Sequence, residues 1–132
     1  MRAEELKERK ERADAVVLAH YYVDGAVQEM ADYVGDSFYL AKVAAKEKKS
    51  TIVFCGVRFM GESAKILNPG SRVLLPAPQA ACPMAHMAKE NEIARLRREI
   101  PDLAVVCYIN STARLKSCSD VCVTSSNAVR IV

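Results

Sequence analysis

The sequence predicts an α/β fold: a three-layer α/β/α sandwich on a four-stranded parallel sheet, repeated as a second, incomplete unit. Three observations carry this reading. Apolar runs such as Val16-Val17-Leu18-Ala19 and Ala104-Val105-Val106-Cys107 are continuous rather than alternating, as in strands covered on both faces. Helical segments alternate with these runs, which implies parallel strands joined by right-handed crossovers. The chain also echoes itself at an offset of 88 positions: His20 falls on Tyr108, Tyr22 on Asn110, Asp32 on Asp120 and Ser37 on Ser125. Arg9, Glu11 and Asp14 likewise fall on Arg97, Glu99 and Asp102. The force of the echo is matched position within matched elements. Two such units would aim their polar strand ends at a shared cleft.

The elements follow in order. Residues 3–12 make a charged helix supported by the i,i+4 pairs Glu5–Arg9 and Glu8–Arg12. A strand at 15–20 leads to a helix at about 26–31, a short strand at 32–36 and a helix at 37–48. A strand at 51–55, a helix at 59–67 and a strand at 72–75 complete the first unit. Asn68-Pro69-Gly70 stops the helix at 59–67, and Pro101 stops one at 90–100 whose Ile93, Leu96 and Ile100 form an apolar stripe. After the connection at 76–89 and that helix, the pattern restarts. It gives a strand at 104–109, a helix around 113–118, a strand at 119–124 and the beginning of a helix at 126. The expected domains are therefore 1–84, with the charged N-terminal helix, and 85–132, a truncated copy. The second unit has two of the four strands of the first, so its open edge calls for a missing C-terminal portion or a complementary chain.

With 132 residues, 51% of them hydrophobic, the chain can bury a core. No apolar run approaches the roughly 18 residues that span a bilayer, and the charged N-terminus has no signal-peptide core. A soluble cytoplasmic protein without a membrane partner is expected. The net charge of +3 is modest. Its densest basic cluster (Arg95, Arg97, Arg98) is interleaved with Glu92 and Glu99, which argues against nucleic-acid binding. Five cysteines, an odd number, favour thiols or ligands over a disulfide framework. Cys55, Cys107, Cys118 and Cys122 read as packing residues.

Ligands of parallel α/β sheets bind beyond the carboxyl ends of the strands, so polar residues there are candidates. His20 and Tyr22 follow one strand, and Tyr108 and Asn110 follow its counterpart; residues i and i+2 share a face of extended backbone. A histidine in this position is either a ligand-facing group or a satisfied structural one. Ser37 and Ser125 each read as the cap of a helix following a strand, either as plain N-caps or as anion holders for carboxylate or phosphate. Cys82 stands in the proline-rich connection Pro76-Ala77-Pro78-Gln79-Ala80-Ala81-Cys82-Pro83, as a nucleophile, a metal ligand or a tolerated residue. His86 joins it as a second donor if a helix starts at Pro83, but two donors do not close a metal site.

The stretches Leu18-Ala19-His20-Tyr21-Tyr22, Ala31-Asp32-Tyr33-Val34-Gly35-Asp36-Ser37, Gly56-Val57-Arg58-Phe59-Met60-Gly61-Glu62, Ala81-Cys82-Pro83-Met84-Ala85, Val106-Cys107-Tyr108-Ile109-Asn110-Ser111 and Thr124-Ser125-Ser126-Asn127-Ala128-Val129 resemble the quinolinate synthase family along the whole chain. The resemblance implies three similar α/β/α units around one active site. It further implies condensation of iminoaspartate with dihydroxyacetone phosphate to quinolinate in NAD biosynthesis, with an aspartate oxidase as the upstream enzyme. It implies a [4Fe–4S] cluster on three cysteines that acts as a Lewis acid, with Cys82 as the first ligand. His20, Tyr22, Ser37, Tyr108, Asn110 and Ser125 would line the substrate pocket. Of these, His20, Tyr22 and Tyr108 are cast for proton transfer, Ser37 and Ser125 as anion holders and Asn110 as an orienting partner. The two other cluster cysteines belong to a later portion of the family, so this chain by itself is expected to be inactive. The competing readings are a non-catalytic module that binds a dicarboxylate or sugar phosphate, and a redox-responsive interaction protein.

Overall fold

Four parallel strands, β1 (Ala15–His20), β2 (Tyr33–Gly35), β3 (Thr51–Cys55) and β4 (Arg72–Leu74), form one sheet in the order β2-β1-β3-β4. They belong to a computed structural model that describes residues 3–132. Helices α1 (Ala3–Arg12), α2 (Gly25–Glu29), α3 (Ser37–Lys46) and α4 (Arg58–Leu67) flank the sheet in a three-layer α/β/α arrangement. A 3₁₀ turn (Pro83–His86) and α5 (Glu90–Glu99) lead into a second parallel sheet of β5 (Val106–Tyr108) and β6 (Val121–Val123), with α6 (Ala113–Ser117) between them and α7 (Ala128–Ile131) after them. The chain divides into two compact units between Ala80 and Ala81, slightly ahead of the boundary expected at 84.

The core of the first unit is the apolar centre of β1 and β3 under α3 and α4. Leu18, Ile52, Phe54 and Leu40 are its largest fully buried side chains, each contributing about 1.5–3 kcal/mol on leaving water. α4 buries Phe59, Met60, Ser63 and Ala64 on one face. Gly61 lets that helix close on the chain after β4: a Cβ there would stand 2.6 Å from Leu75 Cδ2. The Asn68-Pro69-Gly70 stop does more than end α4. The Asn68 amide donates to the carbonyls of Ala44 (3.0 Å) and Glu47 (2.9 Å), closing the C-terminus of α3. For this reason α3 ends at Lys46 rather than 48: Glu47 turns extended, and its carboxylate accepts from the N–H groups of Lys48 and Lys49.

The 88-residue echo is a repeat of hydrogen bonds. β1 pairs with β2 through Leu18↔Tyr33, Ala19↔Val34 and His20↔Gly35, and β5 pairs with β6 through Val106↔Val121, Cys107↔Cys122 and Tyr108↔Val123. Each pair in the second set lies 88 positions beyond its counterpart. Ahead of β2, the N–H of Val17 donates to Asp32 Oδ2 (2.8 Å), while the N–H of Asp32 donates to the Val17 carbonyl (2.9 Å). Ahead of β6, Val105 and Asp120 do the same at 2.7 and 2.9 Å. The preceding helix neutralises each carboxylate, with Lys10 of α1 on Asp32 (2.6 Å) and Arg97 of α5 on Asp120 (2.8 Å). Even the caps correspond: Asp24 caps α2 and Thr112 caps α6.

The copies differ in extent. β1 runs for six residues because β3 pairs with Ala15 through Ala19 on its other side. β5, expected over 104–109, is only three residues long: β6 alone pairs with it among the described residues. β6 is correspondingly shorter than 119–124.

Asp32→Ala removes the acceptor for the Val17 N–H. It should lower stability by about 1–3 kcal/mol in urea unfolding, and by more than Lys10→Ala, which removes the half-buried ion pair but leaves the acceptor of the Val17 N–H in place. The Asp14 and Asp120 carboxyls are held below the ordinary value of 3.8, first by their hydrogen bonds from the backbone of Ser50 and Val105 and then by Lys49 and Arg97. Each therefore contributes stability above pH 3.8 that is lost as the pH falls toward its lower folded value. Asp120→Asn and Asp14→Asn should flatten the acid limb of a stability–pH curve below about pH 4 and leave its slope near neutrality unchanged.

Candidate functional site

In the first unit the sheet's carboxyl edge carries a ring cluster. His20 ends β1 with 4% of its surface exposed, while Tyr22, two residues on, is 81% exposed. The chain bends between them because the N–H of Val23 donates to the His20 carbonyl (3.0 Å) and that of Tyr22 donates to His20 Nδ1 (3.2 Å). The imidazole stacks on Tyr21 (centroids 4.6 Å apart, planes at 23°) and meets Tyr22 edge-on at 4.7 Å. The His20 pKa is pulled below the ordinary 6.5 by burial, with Asp36 opposing. Tyr21 is pushed above 10.0, chiefly by its hydrogen bond with Tyr22.

His20 and Tyr22 line a cavity of about 350 Å³ walled by Val27, Cys55, Met60 and Pro76, among others, with no lysine, arginine, aspartate or glutamate in its lining. Cys55, read from sequence as packing, belongs to this wall. The signal for it was its place at the end of β3, directly opposite Ala19 in register. Burial pushes the Cys55 thiol above its ordinary 9.0. Ser37 corrects the expectation of a serine cap: Asp36 is the N-cap of α3, its Oδ1 accepting from the Tyr39 N–H (2.7 Å), and Ser37 is the first helical residue. Aspartate wins because its carboxylate meets both the free N–H groups and the positive end of the helix. An anion at Ser37 would share that end with the Asp36 carboxylate.

In the second unit Tyr108 and Asn110 line a cavity of about 480 Å³ together with Cys107, Ser111 and Leu115. The Tyr108 and Ser125 hydroxyls are hydrogen-bonded at 3.0 Å, and Ser111 Oγ donates to the Tyr108 carbonyl (2.7 Å). Ser125 is not a cap either. Asn127 precedes the four-residue α7, and Ser125 sits in the turn before it. Any hold of Ser125 on an anion is thus through its hydroxyl, not through a helix terminus.

Cys82 is half-buried and extended, and its carbonyl accepts from the Ala85 N–H (3.0 Å) at the start of the 3₁₀ turn. A helix does start at Pro83, but with the tighter 3₁₀ repeat, which does not align positions four apart. Cys107 and Cys122 are register partners on adjacent strands, and the Cys122 thiol is pushed up by burial first and by Cys107 second. Among the described residues no group of three or more His, Cys, Asp or Glu gathers as a metal site. One thiolate does not hold a cubane cluster, so these residues alone do not fit one. No helix among the described residues is long and apolar enough to cross a membrane.

The sequence matches the family described as Quinolinate synthetase A protein over residues 4–132. A quinolinate synthase of Fusobacterium nucleatum is 60% identical over 127 residues, which cover 96% of this chain and 43% of the relative. One of Clostridium perfringens is 54% identical over 132 residues (100% and 44%), and quinolinate synthase 2 of Methanosarcina acetivorans is 52% identical over 130 residues (98% and 42%). The chain spans less than half the length of these relatives, and corresponds to their N-terminal part.

Because burial pushes its thiol above the ordinary 9.0, Cys55 should react with iodoacetamide at pH 7.5 more slowly than a free cysteine, by peptide mass spectrometry. Its rate should rise to the free value once the chain is unfolded in urea.

Proposed function

The chain belongs to the quinolinate synthetase A family, and from that membership we propose that it is the N-terminal portion of a quinolinate synthase, acting in NAD biosynthesis in the cytoplasm. The whole enzyme condenses iminoaspartate with dihydroxyacetone phosphate, with loss of phosphate and water, and an aspartate oxidase supplies the imine. The observation that carries the proposal is the duplicated polar end of the strands. One unit supplies His20, Tyr22 and Ser37, the other Tyr108, Asn110 and Ser125, at equivalent places in a repeated hydrogen-bond frame.

Each residue has a task that its setting supports. Tyr108, already bonded to Ser125, has a proton path between two hydroxyls. Tyr22 is the most exposed ring of its cluster and the freest to meet substrate. Asn110 offers both a donor and an acceptor from the wall of its cavity, which suits orienting a polar substrate. Ser37 and Ser125 hold anionic groups through their hydroxyls. Cys82 supplies one of three thiolates to a [4Fe–4S] cluster whose other ligands lie in a later part of the polypeptide. Bound there, the cluster would supply Lewis acidity toward substrate oxygen or nitrogen.

The test is Cys82→Ser in the full-length polypeptide after anaerobic reconstitution with iron and sulfide. Iron content and quinolinate formation should both fall to background, while circular dichroism stays unchanged. Retention of iron and turnover would leave the alternative, a module that binds a dicarboxylate or sugar phosphate without chemistry.

A further inference from the structure

In the first unit the side chain of Gln28 grips the turn after β1 at two points. Its Nε2 donates to the carbonyls of Tyr21 (3.0 Å) and Val23 (2.8 Å), the residues on either side of Tyr22. The reach follows from the helix. Asp24 starts α2 directly after the turn, its Oδ1 accepting from the Ala26 N–H (2.9 Å), and the side chains of a helix lean toward its N-terminus. Gln28, one helical turn beyond Asp24, therefore extends back over residues 21–23. Its two amide hydrogens match two acceptors. The second unit holds the equivalent turn by other means: Ser111, 88 positions beyond Val23, donates its hydroxyl to the Tyr108 carbonyl (2.7 Å) and its N–H to that of Ile109 (2.9 Å).

We propose that Gln28 is a positioning residue of the quinolinate-forming site: from α2 it clamps the carbonyls flanking Tyr22 and so sets the direction of the Tyr22 phenol at the cavity of the first unit. This rests on the reading that Tyr22 serves the reaction. The physical reason is the exposure of the ring. With 81% of its surface in water, Tyr22 gains little direction from packing, and it meets the imidazole and Tyr21 edge-on, with centroids 4.7 and 4.6 Å away. An exposed side chain on a loose turn samples many directions, whereas one on a fixed backbone keeps to a few rotamers. On one side the turn is fixed by the N–H groups of Tyr22 and Val23, which donate to His20 Nδ1 and to the His20 carbonyl. Gln28 fixes it from the helix, at carbonyls those bonds do not use. Proton transfer needs its donor within hydrogen-bond reach of the reacting atom, so a turn loosened by about an ångström would cost rate while leaving the same groups present. Gln28 acts through Tyr22 and needs no contact with substrate.

The experiment labels the full-length polypeptide with fluorotyrosine and follows the ¹⁹F resonance of Tyr22, assigned as the one that Tyr22→Phe removes. In the wild type this resonance should be shifted from that of free fluorotyrosine by the rings of His20 and Tyr21. Gln28→Met, similar in length and helix propensity but without a donor, should move it toward the free position and lower kcat about tenfold, with circular dichroism unchanged. Gln28→Lys, which again offers donors at the end of an unbranched chain, should restore the shift and most of the rate. Should Gln28→Met not fold, Gln28→Glu, an acceptor in place of the donor, is read in the same way. A Tyr22 resonance that stays in place overturns the clamp, and a displaced resonance with wild-type kcat overturns the positioning role. If the wild-type polypeptide makes no quinolinate, the functional reading falls, while the resonance still decides whether Gln28 holds Tyr22.

Discussion

Each unit depends on one carboxylate that joins three elements. Asp32 and Asp120 sit just ahead of the second strand of their units, take a backbone N–H from within the first strand or from the residue just before it, and receive a cation from the preceding helix. A parallel pair needs its register fixed, because a slip by one residue would exchange the two faces of every side chain. The aspartate fixes that register at the point where the strands begin to pair. The polar residues at the far end of the strands inherit their positions from it: once Leu18 faces Tyr33, His20 must end level with Gly35. The same logic places Tyr108 level with Val123, two residues before Ser125.

The site residues are consequences of this frame together with local bends after the strands. The His20 ring is oriented because the chain turns sharply enough for the next-but-one N–H to meet its Nδ1. Tyr108 reaches Ser125 because its strand and the turn after β6 finish side by side. Charge near these groups is sparse, and burial is the leading cause of the shifts of His20 and Cys55. The first cavity therefore offers shape and a few directed donors.

The second unit shows what a strand loses without neighbours on both sides. β1 and β5 begin from equivalent positions and keep the same pairing on one edge, yet β5 is half as long. Its cavity is bordered by Met84, Met87 and Val106. Val106 and Tyr108 remain accessible here.

The sequence by itself determined the fold class, the order of elements and the repeat, since these follow from continuous apolar runs, helix stops and a fixed offset, all local or periodic signals. It also singled out the residues at the strand ends, because topology alone makes those positions candidates. Tertiary structure decided which atom of each residue is available. Asp36 rather than Ser37 caps α3, Ser125 bonds the Tyr108 hydroxyl, Cys55 lines a cavity, and His20 Nδ1 is taken by the Tyr22 N–H. These outcomes depend on distances between groups brought together by the fold, and competition for a hydrogen bond is settled only when the competitors are in place.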